Sequence, residues 1–163
     1  LSTYGLSKVL GEQTIKFFCS VNNIKGVILR IPGIFGGTRS SGYIYNTALK
    51  CLKNESVTLN TTGLGYWETI NIDDLSNYIA EFIRNYDWNK KVETFNIAYG
   101  SATDFIECAY KIKKILNSSS EIIEESYKGY RDFCLDNSKV QKYVNIKEDI
   151  NSSLERYVKK IRI

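Results

Sequence analysis

The apolar residues of this chain change period within its first 32 positions, and that change restricts the fold more than any other feature. Residues 3–22 place Leu6, Leu10, Ile15, Phe18 and Cys19 at helical spacing and end at Asn22-Asn23. Val27-Ile28-Leu29-Arg30-Ile31 then forms a nearly continuous apolar run, stopped by Pro32-Gly33. Such a run reads as a buried parallel strand, because a strand with one wet face would alternate apolar and polar residues.

The same switch recurs downstream. Residues 36–42 (Gly-Gly-Thr-Arg-Ser-Ser-Gly) form a loop, followed by a predicted helix at 43–54, a short strand at 56–60 and a Thr-Thr-Gly-Leu-Gly turn. Glu68-Thr-Ile-Asn-Ile reads as a strand running into Asp73-Asp74, an acidic start for a helix at 74–86. Residues 94–98 read as another strand, and Thr103 is expected to cap a helix carrying Phe105, Ile106, Ala109, Ile112 and Leu116 on one face. Residues 118–120 read as a linker, 121–126 and 133–135 as strands, and 137–144 and 147–161 as closing helices. Strands alternating with helices predict an α/β fold with a parallel sheet.

Composition narrows the chemistry. The 163 residues, 43% hydrophobic and 25% charged, suit one ordinary domain. There is no Met, and Leu1 is too large a residue for the usual removal of an initiator Met, so the sequence is expected to be a fragment of a longer protein. There is no His either, which removes the commonest general base, the commonest metal ligand and every Ser/His or Cys/His nucleophile pair. Cys19, Cys51, Cys108 and Cys134 lie at wide, irregular spacings without a C-x-x-C pair, so no metal site is expected and the thiols are read as reduced, in a cytoplasmic protein. No apolar run reaches the roughly 18 residues of a membrane span. The net charge of +4 gives little support to a nucleic-acid partner.

The chemistry-bearing segment is Tyr4-Gly5-Leu6-Ser7-Lys8, with Glu12 four residues on. On a helix, positions i and i+4 share a face, so a phenol and an ammonium could enter one site. A fixed cation beside a phenol favours the phenolate, and such a pair can move protons on and off a hydroxyl while a cofactor handles hydride. The spacing alone carries no weight, since it recurs at Tyr86/Lys90, Tyr110/Lys114 and Tyr143/Lys147 in a chain with 12 tyrosines.

The context of the first pair resembles the extended short-chain dehydrogenase/reductase family, the NAD(P)-dependent epimerases, dehydratases and reductases of nucleotide sugars. Its members carry Tyr-Gly-x-Ser-Lys with a Glu soon after. Leu29-Arg30-Ile31-Pro32-Gly33-Ile34-Phe35-Gly36 is similar to the family's Leu-Arg-x-x-Asn-Val-Tyr-Gly turn beside the nicotinamide. Residues 69–75 resemble its strand ending in Val-x-Asp-Leu, and Phe95-Asn96-Ile97-Ala98 its Phe-Asn-Ile-Gly segment. Arg131 with Leu135-Asp136-Asn137-Ser138-Lys139 matches the family's Arg and Leu-Asp-x-Ser-Lys.

The resemblance implies the second half of a Rossmann-type parallel sheet plus a smaller α+β substrate-binding lobe. Residues 1–36 and 68–100 would be the remnant of the NAD(P)-binding domain, and 37–67 and 101–163 the substrate lobe. It implies Tyr4 and Lys8 as catalytic residues that also touch the cofactor, NAD or NADP. Pro32 and Ile34 would line the nicotinamide side, with Gly33, Tyr66, Trp67 and Arg131 near a nucleotide-sugar-like substrate. The pyrophosphate turn and a catalytic Ser or Thr would lie upstream. Gly33-x-x-Gly36-Gly37 is no substitute for that turn, because Arg39 takes the place of the third glycine.

Two departures stand out. Gly33 replaces an Asn that touches the sugar nucleotide, and Trp67-Glu68 stands where a diphosphate-binding Arg followed by Asp is common. Either Arg131 meets the diphosphate or the substrate is atypical, and Tyr66 and Trp67 could stack on a ring. The C-terminal segment carries an apolar stripe, Ile146, Ile150, Leu154, Tyr157, Val158 and Ile161, with a Lys-rich face, and is read as an amphipathic helix packed on the substrate lobe rather than on a membrane or nucleic acid. Strands at 27–31 and 94–98 would lack neighbours, leaving edges that favour a homodimer or other self-association. The alternative is a non-catalytic binding or assembly module derived from the same fold.

Overall fold

A computed structural model describes residues 2–62, 66–126 and 133–161. Helix α1 (Thr3–Val21) starts at Ser2, whose hydroxyl oxygen accepts from the Gly5 N–H at 3.0 Å. It leads into β1 (Gly26–Arg30), and Pro32, which has no N–H to donate, separates β1 from the short strand β2 (Gly33–Phe35). A loop then reaches Gly42, whose φ of 95° suits glycine, and α2 (Tyr43–Leu52) begins.

Strand β3 (Val57–Thr62) is followed by β4 (Tyr66–Trp67) and β5 (Thr69–Asn71). Asn71 ends β5 and caps α3 (Ile72–Asn85), its side-chain oxygen accepting from the Asp73 N–H at 2.8 Å. The remaining elements are β6 (Val92–Asn96), β7 (Thr103–Asp104), α4 (Phe105–Ile115), β8 (Ile122–Ser126), a 3-10 turn at Val140–Lys142 and α5 (Ile150–Val158).

The three longer pairings are parallel: β1 with β6, β2 with β5, and β3 with β8. Among the described residues only β4 and β7 pair antiparallel. The expected α/β class with parallel strands is therefore observed. Ile70, Phe82, Phe95, Ile97, Ile112 and Leu154 are fully buried in one core that joins these pairs to α3, α4 and α5.

The structure departs from the sequence reading in four places. Asp104, not Thr103, caps α4, accepting from the Ile106 and Glu107 N–H groups, while Thr103 belongs to β7. Residues 133–135 form no strand, because their donors go to separate partners: Phe133 N–H to the Tyr66 carbonyl and Leu135 N–H to Glu68. The helix expected at 137–144 shrinks to the 3-10 turn, since the Asn137 side chain is committed to the Ala98 carbonyl at 2.9 Å. The last helix starts at Ile150 rather than 147, where Asp149 and Ser152 form a reciprocal capping box. The 61–65 turn lies partly outside the described residues.

Candidate functional site

Tyr4 and Lys8 lie one turn apart on α1, and both side chains are exposed, Tyr4 by 72%. The Lys8 ammonium stands 5.0 Å from the centre of the Tyr4 ring, so the two side chains do share a face. The Ser7 hydroxyl donates to the Tyr4 carbonyl at 2.7 Å and does not compete for the phenol.

Glu12, two turns beyond Tyr4, has a defined task. Its carboxylate accepts from Arg30 Nε at 2.7 Å and from Arg30 Nη2 at 2.8 Å, and this fork holds the carboxyl below the usual carboxylate range. Arg30 is the last residue of β1, two before Pro32. The fork thereby ties the Tyr4–Lys8 helix to the strand that carries Pro32, Gly33 and Ile34. Cys19, on the same face of α1, packs closely enough on Gly26 that a Cβ there would meet its sulfur at 2.8 Å.

A second group of the expected residues lines a cleft of about 180 Å³. Gly33, Ile34 and Trp67 are all part of its wall, joined by Tyr43 and Phe105. Trp67 stacks on Phe105 with centroids 4.6 Å apart and an interplanar angle of 18°, and Tyr43 meets both rings edge-on. The Tyr43 hydroxyl donates to the Phe105 carbonyl, and burial pushes its pKa upward, so it serves as a fixed wall rather than a proton donor. The Gly33 carbonyl accepts from Thr69 Oγ1 at 2.6 Å, which locks β2 to β5 at the cleft. An added Cβ at Gly33 would make only ordinary contacts, the nearest with Thr69 Oγ1 at 3.4 Å.

Pro32 is buried and does not line that cleft, and neither do Tyr4 and Lys8. Tyr66 is 55% exposed on β4, its carbonyl accepting from the Phe133 N–H, and it too lies off the cleft wall. Arg131 lies outside the described residues. Sequence reasoning missed Tyr43 and Phe105, which helical periodicity marked only as helix residues, and Arg39, which also lines the cleft. A larger groove of about 630 Å³ runs between the start of α3 and α5. Its Arg156 is spent on Asp74 at 2.7 Å and on Glu148, and Arg39 lines this groove as well as the cleft. The buried thiols offer no nucleophile, since burial pushes Cys108 up to about 12 and raises Cys51 as well.

Residues 1–98 match the family described as the NAD dependent epimerase/dehydratase family. The chain belongs to that family. No curated protein matches this epimerase/dehydratase-family chain. Its fold is shared with a UDP-glucose 4-epimerase from Thermotoga maritima solved with UDP-glucose (TM-score 0.84, 21% identity, covering 98% of this chain and 53% of that one). A dTDP-glucose 4,6-dehydratase from Bacillus anthracis in complex with NAD is similar at TM-score 0.80 and 14% identity, covering 98% and 51%. A UDP-glucuronic acid 4-epimerase from Bacillus cereus in complex with UDP-glucuronic acid and NAD gives 0.79 and 18%, covering 98% and 52%. The epimerase/dehydratase-family chain thus spans about half the length of these structures.

The donor set on α1 suits the ribose end of a dinucleotide. A phenol and an ammonium stand exposed on one face, and Lys8 forms no ion pair with any described carboxylate.

Proposed function

We propose that this chain is the catalytic-helix and substrate-binding part of an NAD(P)-dependent nucleotide-sugar epimerase, dehydratase or reductase. The observation that carries this reading is the shared exposed face of Tyr4 and Lys8 on a helix tied by Glu12–Arg30 to the strand leading to the Gly33–Trp67 cleft.

In this reading Tyr4 and Lys8 hold the nicotinamide ribose, and Pro32 and Ile34 flank the ring. The dinucleotide, when bound, supplies hydride acceptance and return. Tyr4 moves the proton at a sugar hydroxyl, and Lys8 sets its ammonium beside the Tyr4 ring on the same face. Gly33, Tyr66, Trp67 and Arg131 contact the substrate. Residues 1–36 and 68–100 belong to the dinucleotide-binding domain, and 37–67 and 101–163 to the substrate lobe. The four free thiols suit a reducing, cytoplasmic setting. Among the described residues no helix is long and apolar enough to cross a membrane. The exposed apolar face of α1 and the edge of β1 that no described strand pairs support self-association.

The test uses the full-length protein with NAD and either UDP-glucose or dTDP-glucose, following product formation. Tyr4→Phe should lower kcat by about 100-fold or more with NAD binding retained, as loss of a general acid/base does. Lys8→Met should lower kcat and weaken NAD binding together. Full activity in Tyr4→Phe overturns the assignment. On its own, the 163-residue chain should show no NAD(P)-induced thermal shift, since its residues lack the pyrophosphate turn.

A further inference from the structure

Arg39 is the one charged side chain among the described residues that line the Gly33–Trp67 cleft. Its Nη1 donates to the Ile34 carbonyl at 2.7 Å, which anchors the guanidinium at the cleft. Gly42, with φ of 95°, lets the guanidinium lie close over the backbone: a Cβ placed there would meet Arg39 Nη2 at 3.4 Å. No described carboxylate pairs with Arg39. The guanidinium carries five N–H donors, so most of its fork remains available beyond the Ile34 bond.

A second donor in the same wall lacks an acceptor. Trp67 Nε1 is buried with no hydrogen-bond partner among the described residues. A buried N–H without an acceptor costs free energy unless a ligand or water supplies one. A guanidinium with open donors and an orphaned indole N–H, set in an aromatic wall, suit a ligand that carries anionic oxygens next to a ring.

We infer that Arg39 binds the phosphate oxygens of the substrate and, with Trp67, selects ring-bearing phosphates over neutral sugars. This rests on the nucleotide-sugar reading above. Arg39 is reached by the geometry of the cleft, independently of Arg131.

The inference is tested by calorimetric titration of the full-length protein with UDP-glucose, dTDP-glucose and inorganic pyrophosphate. Arg39→Gln removes the charge and, being shorter, gives up the Nη1 bond to the Ile34 carbonyl, whereas Arg39→Lys keeps the charge without the fork. The expected result is about a tenfold or greater loss of affinity in Arg39→Gln and a smaller loss in Arg39→Lys, with NAD binding and the thermal midpoint unchanged. Wild-type affinity should also fall as NaCl rises to about 0.5 M, and fall less in Arg39→Gln. Equal nucleotide-sugar affinity in wild type and Arg39→Gln overturns the role of Arg39 and leaves the substrate reading intact. Binding of pyrophosphate but of neither nucleotide sugar, lost in Arg39→Gln, supports the anion site and overturns the substrate reading. Binding of none of the three overturns both. If Arg39→Gln lowers the thermal midpoint, the salt series decides, and a flat wild-type series overturns the inference.

Discussion

Glu68 shows how much one side chain can determine. It is 1% exposed, and its two carboxylate oxygens are fully engaged: Oε1 accepts from Gly100 N–H at 2.6 Å and Ser101 N–H at 3.3 Å, and Oε2 from Leu135 N–H at 2.8 Å. One residue between β4 and β5 thereby joins the turn after β6 to the irregular segment at 133–139. A buried carboxylate is tolerable when backbone donors surround it, and those donors in turn depend on it. Glu68→Ala should destabilise the fold by about 3 kcal/mol in urea unfolding, because Gly100 and Leu135 lose their acceptors. Glu68→Gln should not restore wild-type stability. An amide oxygen can replace Oε1, but the amide nitrogen then faces the Leu135 N–H, donor against donor. A Gln variant as stable as wild type would show that the Leu135 bond contributes nothing.

At the scale of elements, the joint between α1 and β1 decides where the Tyr4–Lys8 face points. Gly26 permits that contact, with Cys19 Sγ 2.8 Å and Ile15 Cγ2 3.4 Å from where a Cβ would sit. Gly26→Ala should cost about 1–3 kcal/mol by overpacking, and adding Cys19→Ala should recover most of it, as double-mutant stability measurements will show. On β6, Glu93 takes a hydrogen bond from Tyr86 at 2.7 Å and ion pairs from Lys90 at 3.0 Å and Lys139 at 3.3 Å. Chiefly the Tyr86 bond, then Lys90, hold its carboxyl down to about 2. A folded-state value below the unfolded one means that the unfolded chain takes up the proton first. The stability is present above the ordinary carboxylate range and is lost as pH falls toward 2. The thermal midpoint of Glu93→Gln should therefore fall less steeply than that of wild type over that window, and parallel curves would refute the pairing. Elements with a clear period were legible in the sequence: α1, β1, α2 and α3 lie within a few residues of their predicted bounds. The strands β2, β4 and β7, two or three residues each, carry no period at all and form only because a distant partner offers a register. The residues of the candidate cleft and helix face were legible only in part. Tyr4, Lys8, Gly33 and Trp67 stood out by motif, whereas Tyr43, Phe105 and Arg39 enter the cleft through tertiary packing that no local pattern announces.

For the whole molecule, the decisive feature is an exposed apolar stripe on the face of α1 turned away from β1. At 100° per residue, Tyr4, Lys8, Glu12 and Cys19 fall on one side, the side that meets β1 through Arg30 and Gly26. Leu6, Leu10, Phe17 and Val21 fall on the other and are 49%, 57%, 61% and 59% exposed. An apolar helix stripe is ordinarily covered. Strand β1 repeats the pattern, pairing with β6 on one edge and with no described strand on the other. Both open surfaces belong to the same helix–strand unit, and leaving them in water forfeits about 25 cal/mol for each Å² of apolar area that another surface could cover. We propose that a second copy of the chain covers the α1 stripe, since the same apolar stripe on each copy is what an isologous contact requires. Sedimentation equilibrium of the purified 163-residue protein should accordingly give a weight-average mass that rises with concentration. Leu10→Glu combined with Phe17→Glu should hold it at the monomer value without disturbing the Glu12–Arg30 joint, because the charges enter on the far side of the helix. A wild-type protein that stays monomeric across the whole concentration range would show that the stripe does not meet its own copy.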